Sequence, residues 1–358
     1  MNIKDLIDLE NVSKEDLNEI IRLAGVIKEN PSHFIDRCHG KIMATLFYEP
    51  STRTQMSFQT AMLRLGGKII GFNDPGSSSV SKGETLKDTV RVVSNYADII
   101  VIRNPYEGAA LAASMYAKCP VINAGDGGHL HPTQTLTDLV TLSYEKGRLD
   151  HLTIGLCGDN KNGRTVHSLI KTLSKYEGNK FVMISTPELR MPQYIIDCLE
   201  ERGCEYSFSD SLEDSIADLD VLYMTRIQRE RFTSQSDYES QKGVFVLDEE
   251  KMKLAKPDLR VLHPLPRVDE ITIGVDEDPR AKYFEQTEYG MYARMALVMT
   301  MLENGRNNIP DTLHDSHDAR CSNMRCITQT ESYLPKLFID NGETLLCKYC
   351  EHEVEIKK

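Results

Sequence analysis

Long apolar runs are missing from this chain of 358 residues. None approaches the ~18 residues of a membrane span, and the opening Met1-Asn2-Ile3-Lys4-Asp5 holds no apolar signal core. The expectation is a cytoplasmic protein with no membrane partner. A cationic excess is also missing: 42 Lys and Arg stand against 54 Asp and Glu, a net charge of -12. That balance argues against nucleic acid as a main partner, although a few converging arginines can still make a local pocket for an anionic small molecule. There is no internal repeat and no low-complexity tract. Cysteine is sparse, with five in the first 320 residues. What remains is 40% hydrophobic and 27% charged, an ordinary globular composition long enough for two domains and a small third one.

Cysteine then becomes dense. Cys321-x4-Cys326 is followed, 20 residues on, by Cys347-x2-Cys350. Two short-spaced thiol pairs at this separation suit one tetrahedral zinc ion held by four thiolates. With all four positions taken by protein, such a site holds a fold together and activates no water. Disulfides or redox-active thiols are the alternatives, and disulfides need an oxidising compartment. From Arg306 to Lys358 there are seven Lys or Arg and nine Asp or Glu, so the tail carries no nucleic-acid footprint and protein contact is expected of it.

Upstream, helical and strand periodicities alternate. Ser13 reads as an N-cap, with Leu17, Ile20, Ile21, Ala24 and Ile27 on one helix face and Pro31 as the stop. Strands are expected at 42–47, 68–72, 98–102 and 121–124, and helices at 54–65, 84–97 and 108–117. After Gly125-Asp126-Gly127-Gly128 the rhythm restarts, with helices at 132–142, 165–176 and 291–302 and strands at 152–157, 181–185, 221–225 and 261–263. Such alternation means parallel sheets covered by helices, and its length suggests two α/β domains joined near residue 131. The polar stretch 306–318 reads as a linker.

Ligands of open parallel sheets bind at the carboxyl ends of the strands. Five expected strand ends are followed by an arginine: Arg53, Arg103, Arg164, Arg226 and Arg267. One would be an ordinary surface residue; five on the rims of two sheets predict a site for several negative charges. Ser51-Thr52-Arg53-Thr54 sits at a helix start, where hydroxyls, amide N–H groups and a guanidinium suit a phosphate; a plain helix cap is the other reading. His131-Pro132-Thr133-Gln134 opens the next helix, where the domains would meet. A lone histidine there serves either a ligand or the structure. The segment 226–241, with Arg226, Arg229 and Arg231, reads equally as a closing lid or a solvated loop.

Four segments carry a family resemblance: 47–54 (FYEPSTRT), 131–134 (HPTQ), 163–165 (GRT) and 263–267 (HPLPR). Together, and in this order over about residues 1–305, they resemble the carbamoyltransferases. The Pro-Leu-Pro-Arg turn and Ser79-Val80-Ser81-Lys82-Gly83-Glu84 resemble the aspartate branch; the ornithine branch places a Cys after the corresponding His. The cysteine tail is similar to the zinc domain of the aspartate carbamoyltransferase regulatory chain, here fused to a catalytic chain.

The resemblance implies two doubly wound parallel-sheet domains plus a small C-terminal zinc-binding β module. The domains would be 1–131 for carbamoyl phosphate and 132–290 for aspartate, followed by a helix 291–305 returning to the first domain, the linker 306–318 and a zinc domain 319–358. It implies that Ser51, Thr52, Arg53, Thr54 and Arg103 hold the phosphate, that Thr54, Arg103, His131 and Gln134 surround the carbamoyl group, and that the turn at Leu265 and Pro266 receives the attacking amine. Arg164 and Arg226, helped by Gln228, would grip the two carboxylates of L-aspartate. Two carboxylates need two cationic forks, whereas the side-chain amine of ornithine would want an acidic pocket.

Ser79 and Lys82, with Ser81 as the other candidate serine, would enter a neighbouring subunit's site. This implies a homotrimer with shared active sites and a larger homo-oligomer through the zinc domain. Lys82 taken alone also reads as a solvated loop residue. Zinc would be structural and no catalytic cofactor is implied. The regulatory chain's nucleotide-binding domain has no counterpart, so the usual basis for control by CTP or ATP is missing. A carbamoyltransferase for another amino acid and an inactive regulatory homologue are the rival readings.

Overall fold

Helix starts and stops follow local chemistry. In the computed structural model, which describes residues 3–229, 232, 234–305 and 315–355, α1 (Lys14–Glu29) opens where the Ser13 hydroxyl accepts from the Asp16 amide. It buries Leu17, Ile20, Ile21, Ala24 and Ile27, the five residues its periodicity selects. The chain divides into two compact units, Met1–Thr133 with Met291–Lys358, and Gln134–Gly290. Arg231 and most of the expected linker, 306–314, lie outside the described residues.

The first unit is built on four parallel strands: β1 (Ile42–Phe47), β2 (Lys68–Phe72), β3 (Ile99–Asn104) and β4 (Val121–Asp126). β3 and β4 are buried along their whole length, as expected for strands covered on both faces. Between the strands run α2 (Thr52–Arg64), α3 (Leu86–Val93) and α4 (Ala109–Ser114). The strand order is β2-β1-β3-β4. The connections therefore diverge between β1 and β3, and a crevice opens at their carboxyl ends.

The second unit repeats the device with five parallel strands, β5 (Thr153–Cys157), β6 (Lys180–Ile184), β7 (Glu205–Ser209), β8 (Val221–Met224) and β9 (Arg260–Leu262). Their order is β7-β6-β5-β8-β9, so the divergence falls between β5 and β8. Its helices include α6 (Arg164–Leu173), α7 (Gln193–Glu201), α8 (Leu212–Ser215), α9 (Gln235–Gln241) and α10 (Glu249–Leu254). Helices α5 (Pro132–Lys146) and α11 (Glu285–Glu303) carry the chain from one unit into the other.

The tail forms a three-stranded antiparallel sheet of β10 (Phe338–Asp340), β11 (Thr344–Cys347) and β12 (Glu353–Glu355). It belongs to the first unit and shares its core. The alanines of α4 pack in one cluster with Ile327, Leu334, Leu337, Phe338 and Tyr349. Gly108 makes the approach possible: a Cβ there would lie 2.4 Å from the Tyr349 carbonyl oxygen. Glu107 adds backbone bonds to Arg325 and Ile327 (2.8 and 2.9 Å), and its carboxylate accepts from Asn323 at 2.6 Å. The module is thus docked on its own chain.

Candidate functional site

In the first unit, β1 delivers the chain to Ser51, the N-cap of α2, and β3 runs alongside it. Phe47 is in register with Arg103, and the Tyr48 amide donates to the Arg103 carbonyl at 2.8 Å. The switch point therefore puts Ser51-Thr52-Arg53-Thr54 beside Arg103. The Ser51 side chain makes no capping hydrogen bond, which removes the plain-cap reading for that hydroxyl. Thr52 and Arg53 are exposed and Thr54 is buried.

Arg103 is buried, and lies inside β3 rather than after it. One guanidinium arm meets Glu49 at 2.6 Å; the other donates to the Ala124 carbonyl at 3.1 Å and stands 3.4 Å from His131 Nε2. Its buried Nε has no hydrogen-bond partner among the described residues. Burial lowers the Arg103 pKa; Glu49 opposes this, and the nearby positive charge of Arg53 adds to the lowering. Two like charges at one crevice, one of them buried, favour an anion between them.

The Gly125-Asp126-Gly127-Gly128 loop does more than connect. Gly125 has φ +122°, and a Cβ there would lie 2.7 Å from Arg103 Nη1. Asp126 is buried and accepts from the Gly108 and Leu130 amides (2.8 and 2.9 Å) and from Asn123 Nδ2 (3.3 Å), while His129 Nδ1 lies 3.0 Å away. This carboxylate ties the loop carrying His131 to the loop after β3. The sequence reading missed it; the signal available was an acid between glycines at a strand end.

In the second unit, Arg164 opens α6 after β5, and Arg226 follows β8, both half-buried. The two loops are knitted together. The Asp159 amide donates to Thr225 Oγ1 at 3.0 Å, Thr225 Oγ1 donates to the Cys157 carbonyl at 3.0 Å, and Gln228 donates to the Asn162 carbonyl at 3.2 Å. Gln228, expected to help grip a substrate, here braces the Arg164 loop. Gln134 likewise donates at 2.8 Å to Asp138, which also receives Tyr223 and Gln286. His167 was not singled out from sequence. Its Nε2 lies 2.8 Å from the Asn160 carbonyl, which can only accept, so the ring donates there and takes the Tyr194 hydroxyl on Nδ1 at 2.8 Å. Burial pulls its pKa down to about 4, against the Asn160 bond.

The 263–267 turn is internally fixed. The Leu265 amide donates to His263 Nδ1 at 2.7 Å, and His263 Nε2 meets Glu270 at 2.7 Å. Leu265 has φ 54° and the Leu265–Pro266 bond is cis. Arg267, the fifth arginine, does not extend the anion site: its guanidinium is bound by Asp276 and by the Tyr283 hydroxyl. In the 74–83 loop, Ser81 donates to the Ser78 carbonyl at 2.7 Å, while Ser79 and Lys82 are exposed on a 3-10 turn.

All four tail cysteines are buried, with their sulfurs within 4.8 Å of one another. The separations Cys321–Cys350 and Cys326–Cys347 are 3.5 and 3.9 Å. A disulfide requires about 2.05 Å. A tetrahedron with Zn–S bonds of about 2.3 Å has edges of about 3.8 Å. The geometry fits zinc and excludes the disulfide reading. Thr328 adds a 3.2 Å hydrogen bond to the Cys326 sulfur, the kind of outer contact that orients a ligand.

Comparison with known proteins agrees with this geometry. Residues 4–144 match the model of the aspartate/ornithine carbamoyltransferase carbamoyl-P binding domain, and residues 150–301 that of the Asp/Orn binding domain. Residues 319–358 match the metal binding domain of the aspartate carbamoyltransferase regulatory chain. The aspartate carbamoyltransferase catalytic subunit of Clostridium perfringens is 60% identical over 300 residues, 84% of this chain and 98% of that protein. The Clostridium novyi subunit is 57% identical over 299 residues, again 84% and 98%.

Among solved structures, the M. jannaschii aspartate transcarbamoylase catalytic subunit superposes with a TM-score of 0.80 at 48% identity, covering 84% of this chain and 98% of that one. The Trypanosoma cruzi enzyme in complex with N-(phosphonacetyl)-L-aspartic acid gives 0.78 at 38%, covering 83% and 95%. The chain belongs to the aspartate carbamoyltransferase family, as a catalytic chain joined to a metal-binding domain of the regulatory type.

Proposed function

We propose that this chain transfers the carbamoyl group of carbamoyl phosphate to the amino group of L-aspartate, giving N-carbamoyl-L-aspartate and phosphate, an early step of pyrimidine synthesis. The observation that carries the reading is Arg103, buried with an unpartnered Nε beside Arg53 and the hydroxyls of Ser51–Thr54 at a switch point. Arg53, Arg103 and the start of α2 bind the phosphate. Arg103 and His131 stabilise the negative charge that develops on the carbonyl oxygen as the amine adds.

Arg103 N–H groups only donate, so the present 3.4 Å contact makes His131 Nε2 an acceptor. That contact is long and cheap to give up, and a carbonyl oxygen arriving between the two would let both donate to it. Thr54 and Gln134 complete the surroundings of the carbamoyl group, with Gln134 turning from Asp138. Arg164 and Arg226 take the two carboxylates of aspartate, and the carbonyl of Leu265 accepts from its amine. The adding amine gives up a proton, and phosphate leaves with the bonding electrons of its C–O bond and takes that proton up. The donor arrives activated, so positioning and charge stabilisation carry the rate. The four thiolates fill the coordination of zinc, whose part is to hold the tail folded.

Family membership supports a homotrimer in which Ser79 and Lys82 serve a neighbour's site. Ser81 is engaged within its own turn, which favours Ser79 for that role. Exposed Ile35, Met56, Leu63 and Ile70 give the first unit apolar surface for such contact. No helix among the described residues is long and apolar enough to cross a membrane, and we place the enzyme in the cytoplasm.

Radiolabelled carbamoyl phosphate offered with aspartate and with ornithine tests the reading. Aspartate alone should be labelled, and purified Arg53→Ala should lose at least about 100-fold in kcat/KM. Wild-type turnover by Arg53→Ala, or labelling of ornithine alone, would sink it.

A further inference from the structure

The zinc module reaches beyond its own metal site. An α-helix begins with amide N–H groups that have no partner inside the helix. In α3 the Thr85 hydroxyl accepts from one of them, Asp88, at 3.1 Å. The two before it are satisfied from a segment about 245 residues away in sequence. The Leu86 amide donates to the Glu331 carboxylate at 3.0 Å, and the Lys87 amide to the Tyr333 hydroxyl at 2.9 Å. A carboxylate there also suits the positive end of the helix dipole.

Both acceptors are held in place. The Glu331 amide donates to the Ile327 carbonyl at 3.0 Å, in the segment that pairs with Glu107. The Tyr333 ring packs edge-on against Tyr116 at 5.7 Å, and the Lys87 ammonium stands 5.3 and 5.1 Å from the two ring centres. Burial, and after it the Glu331 carboxylate, raises the Tyr333 pKa, so the hydroxyl keeps its proton.

Only Gly83, Glu84 and Thr85 separate this anchor from Lys82. Gly83 turns the chain with φ +89°, and Glu84 is tied forward to Thr89 at 2.8 Å. The loop before it closes on itself, from Ser78 to Pro75, Ser81 to Ser78 and Gly83 to Val80. Its placement against the body is therefore set by its ends, and the module holds the carboxyl end.

We propose that Glu331 and Tyr333 are positioning residues for the Ser79–Lys82 loop, so that the fused zinc module tunes catalysis through a helix N-terminus. This rests on the reading above that Lys82 serves an active site. A displacement of about 1 Å at such a group costs on the order of 100-fold in rate, so a slackened anchor is visible in turnover.

The experiment uses the full-length zinc-loaded protein and compares Glu331→Ala, Glu331→Gln, Tyr333→Phe and Lys82→Ala. Zinc content, kcat, KM for both substrates and amide hydrogen exchange across 74–90 are measured. Glu331→Ala should keep its zinc, exchange faster over 79–87 and lose about tenfold in kcat/KM. Glu331→Gln, which still offers an acceptor oxygen, should recover most of that loss.

Wild-type kcat/KM in Glu331→Ala, or an equal loss in Glu331→Gln, overturns the proposal. Should Glu331→Ala shed its zinc, Tyr333→Phe decides: it removes one hydroxyl and keeps the ring, and unchanged kcat/KM there overturns the proposal. An impaired Lys82→Ala beside an active Glu331→Ala defeats this inference alone, whereas an active Lys82→Ala defeats it together with the role given to Lys82.

Discussion

Gly125→Ala isolates the geometry on which the activity depends. The added Cβ would lie 2.7 Å from Arg103 Nη1 and 3.6 Å from His131 Cδ2. Relaxed contact needs about 3.5 Å, so something must move by on the order of 0.8 Å. An arginine tip is usually free to yield, but this one is held by Glu49 at 2.6 Å and by the Ala124 carbonyl at 3.1 Å. The φ of +122° adds backbone strain of about 1–3 kcal/mol. Against a stability of about 5–15 kcal/mol that strain leaves the protein folded, while the misplaced guanidinium should cost about 10- to 100-fold in kcat. The assay is carbamoyl-aspartate formation at saturating substrate, with a melting curve beside it. Gly147→Ala is the control: it also sits at positive φ, +69°, but among the described residues nothing lies within 4 Å of the new Cβ. It should lose stability and keep turnover. A Gly125→Ala enzyme with turnover like that of Gly147→Ala would refute the placement of Arg103 as catalytic.

Two further perturbations follow. His167 has its pKa lowered from 6.5 to about 4, so between these values the unfolded chain binds a proton that the folded chain refuses. Stability should fall on acidification through that window, by up to about 3 kcal/mol; urea unfolding at pH 7 and pH 4.5 measures it, and His167→Gln, whose amide can still donate to Asn160, should flatten the slope. Cys347→Ser should release zinc and, because metal binding and folding of such modules are coupled, expose residues 315–355 to protease while the body stays folded; a protease-resistant, zinc-free tail would count against the four-thiolate centre.

The fold was legible where burial is two-sided. β1 and β3 read as largely apolar runs, interrupted by Thr45 and ended by Arg103, because helices cover both faces, and α1 showed its five core residues by spacing alone. β7 escaped notice because Glu205-Tyr206-Ser207-Phe208-Ser209 lies at a sheet edge with much of its surface exposed. Helices α8 and α10, of four and six residues, are too short to show a period. The expected helix at 84–97 shrinks to Leu86–Val93, and its start is fixed by Thr85, Glu331 and Tyr333. No local pattern announces partners that far away in sequence. The four cysteines were legible because a metal demands spacing, whereas His167 bonds the Asn160 carbonyl and the Tyr194 hydroxyl without any spacing that announces it, and Asp126 offered only the weak signal of an acid between glycines.

Arginine at a strand end is the signal that carries the functional reading, and topology separates four of these positions from the fifth. Arg53 and Arg103 flank the divergence between β1 and β3, and Arg164 and Arg226 flank that between β5 and β8. At those places the connecting segments part and leave a crevice. Arg267 follows β9, the outermost strand of its sheet, where no divergence opens. There the chain supplies its own anion, Asp276, and the guanidinium serves the fold. The charge of an arginine is the same at all five positions; strand order decides whether it stands beside a crevice or at a sheet edge. A chain with net charge -12 can in this way set arginines beside two crevices, although at the first of them Glu49 already meets Arg103 at 2.6 Å, so an arriving anion would share that guanidinium with it.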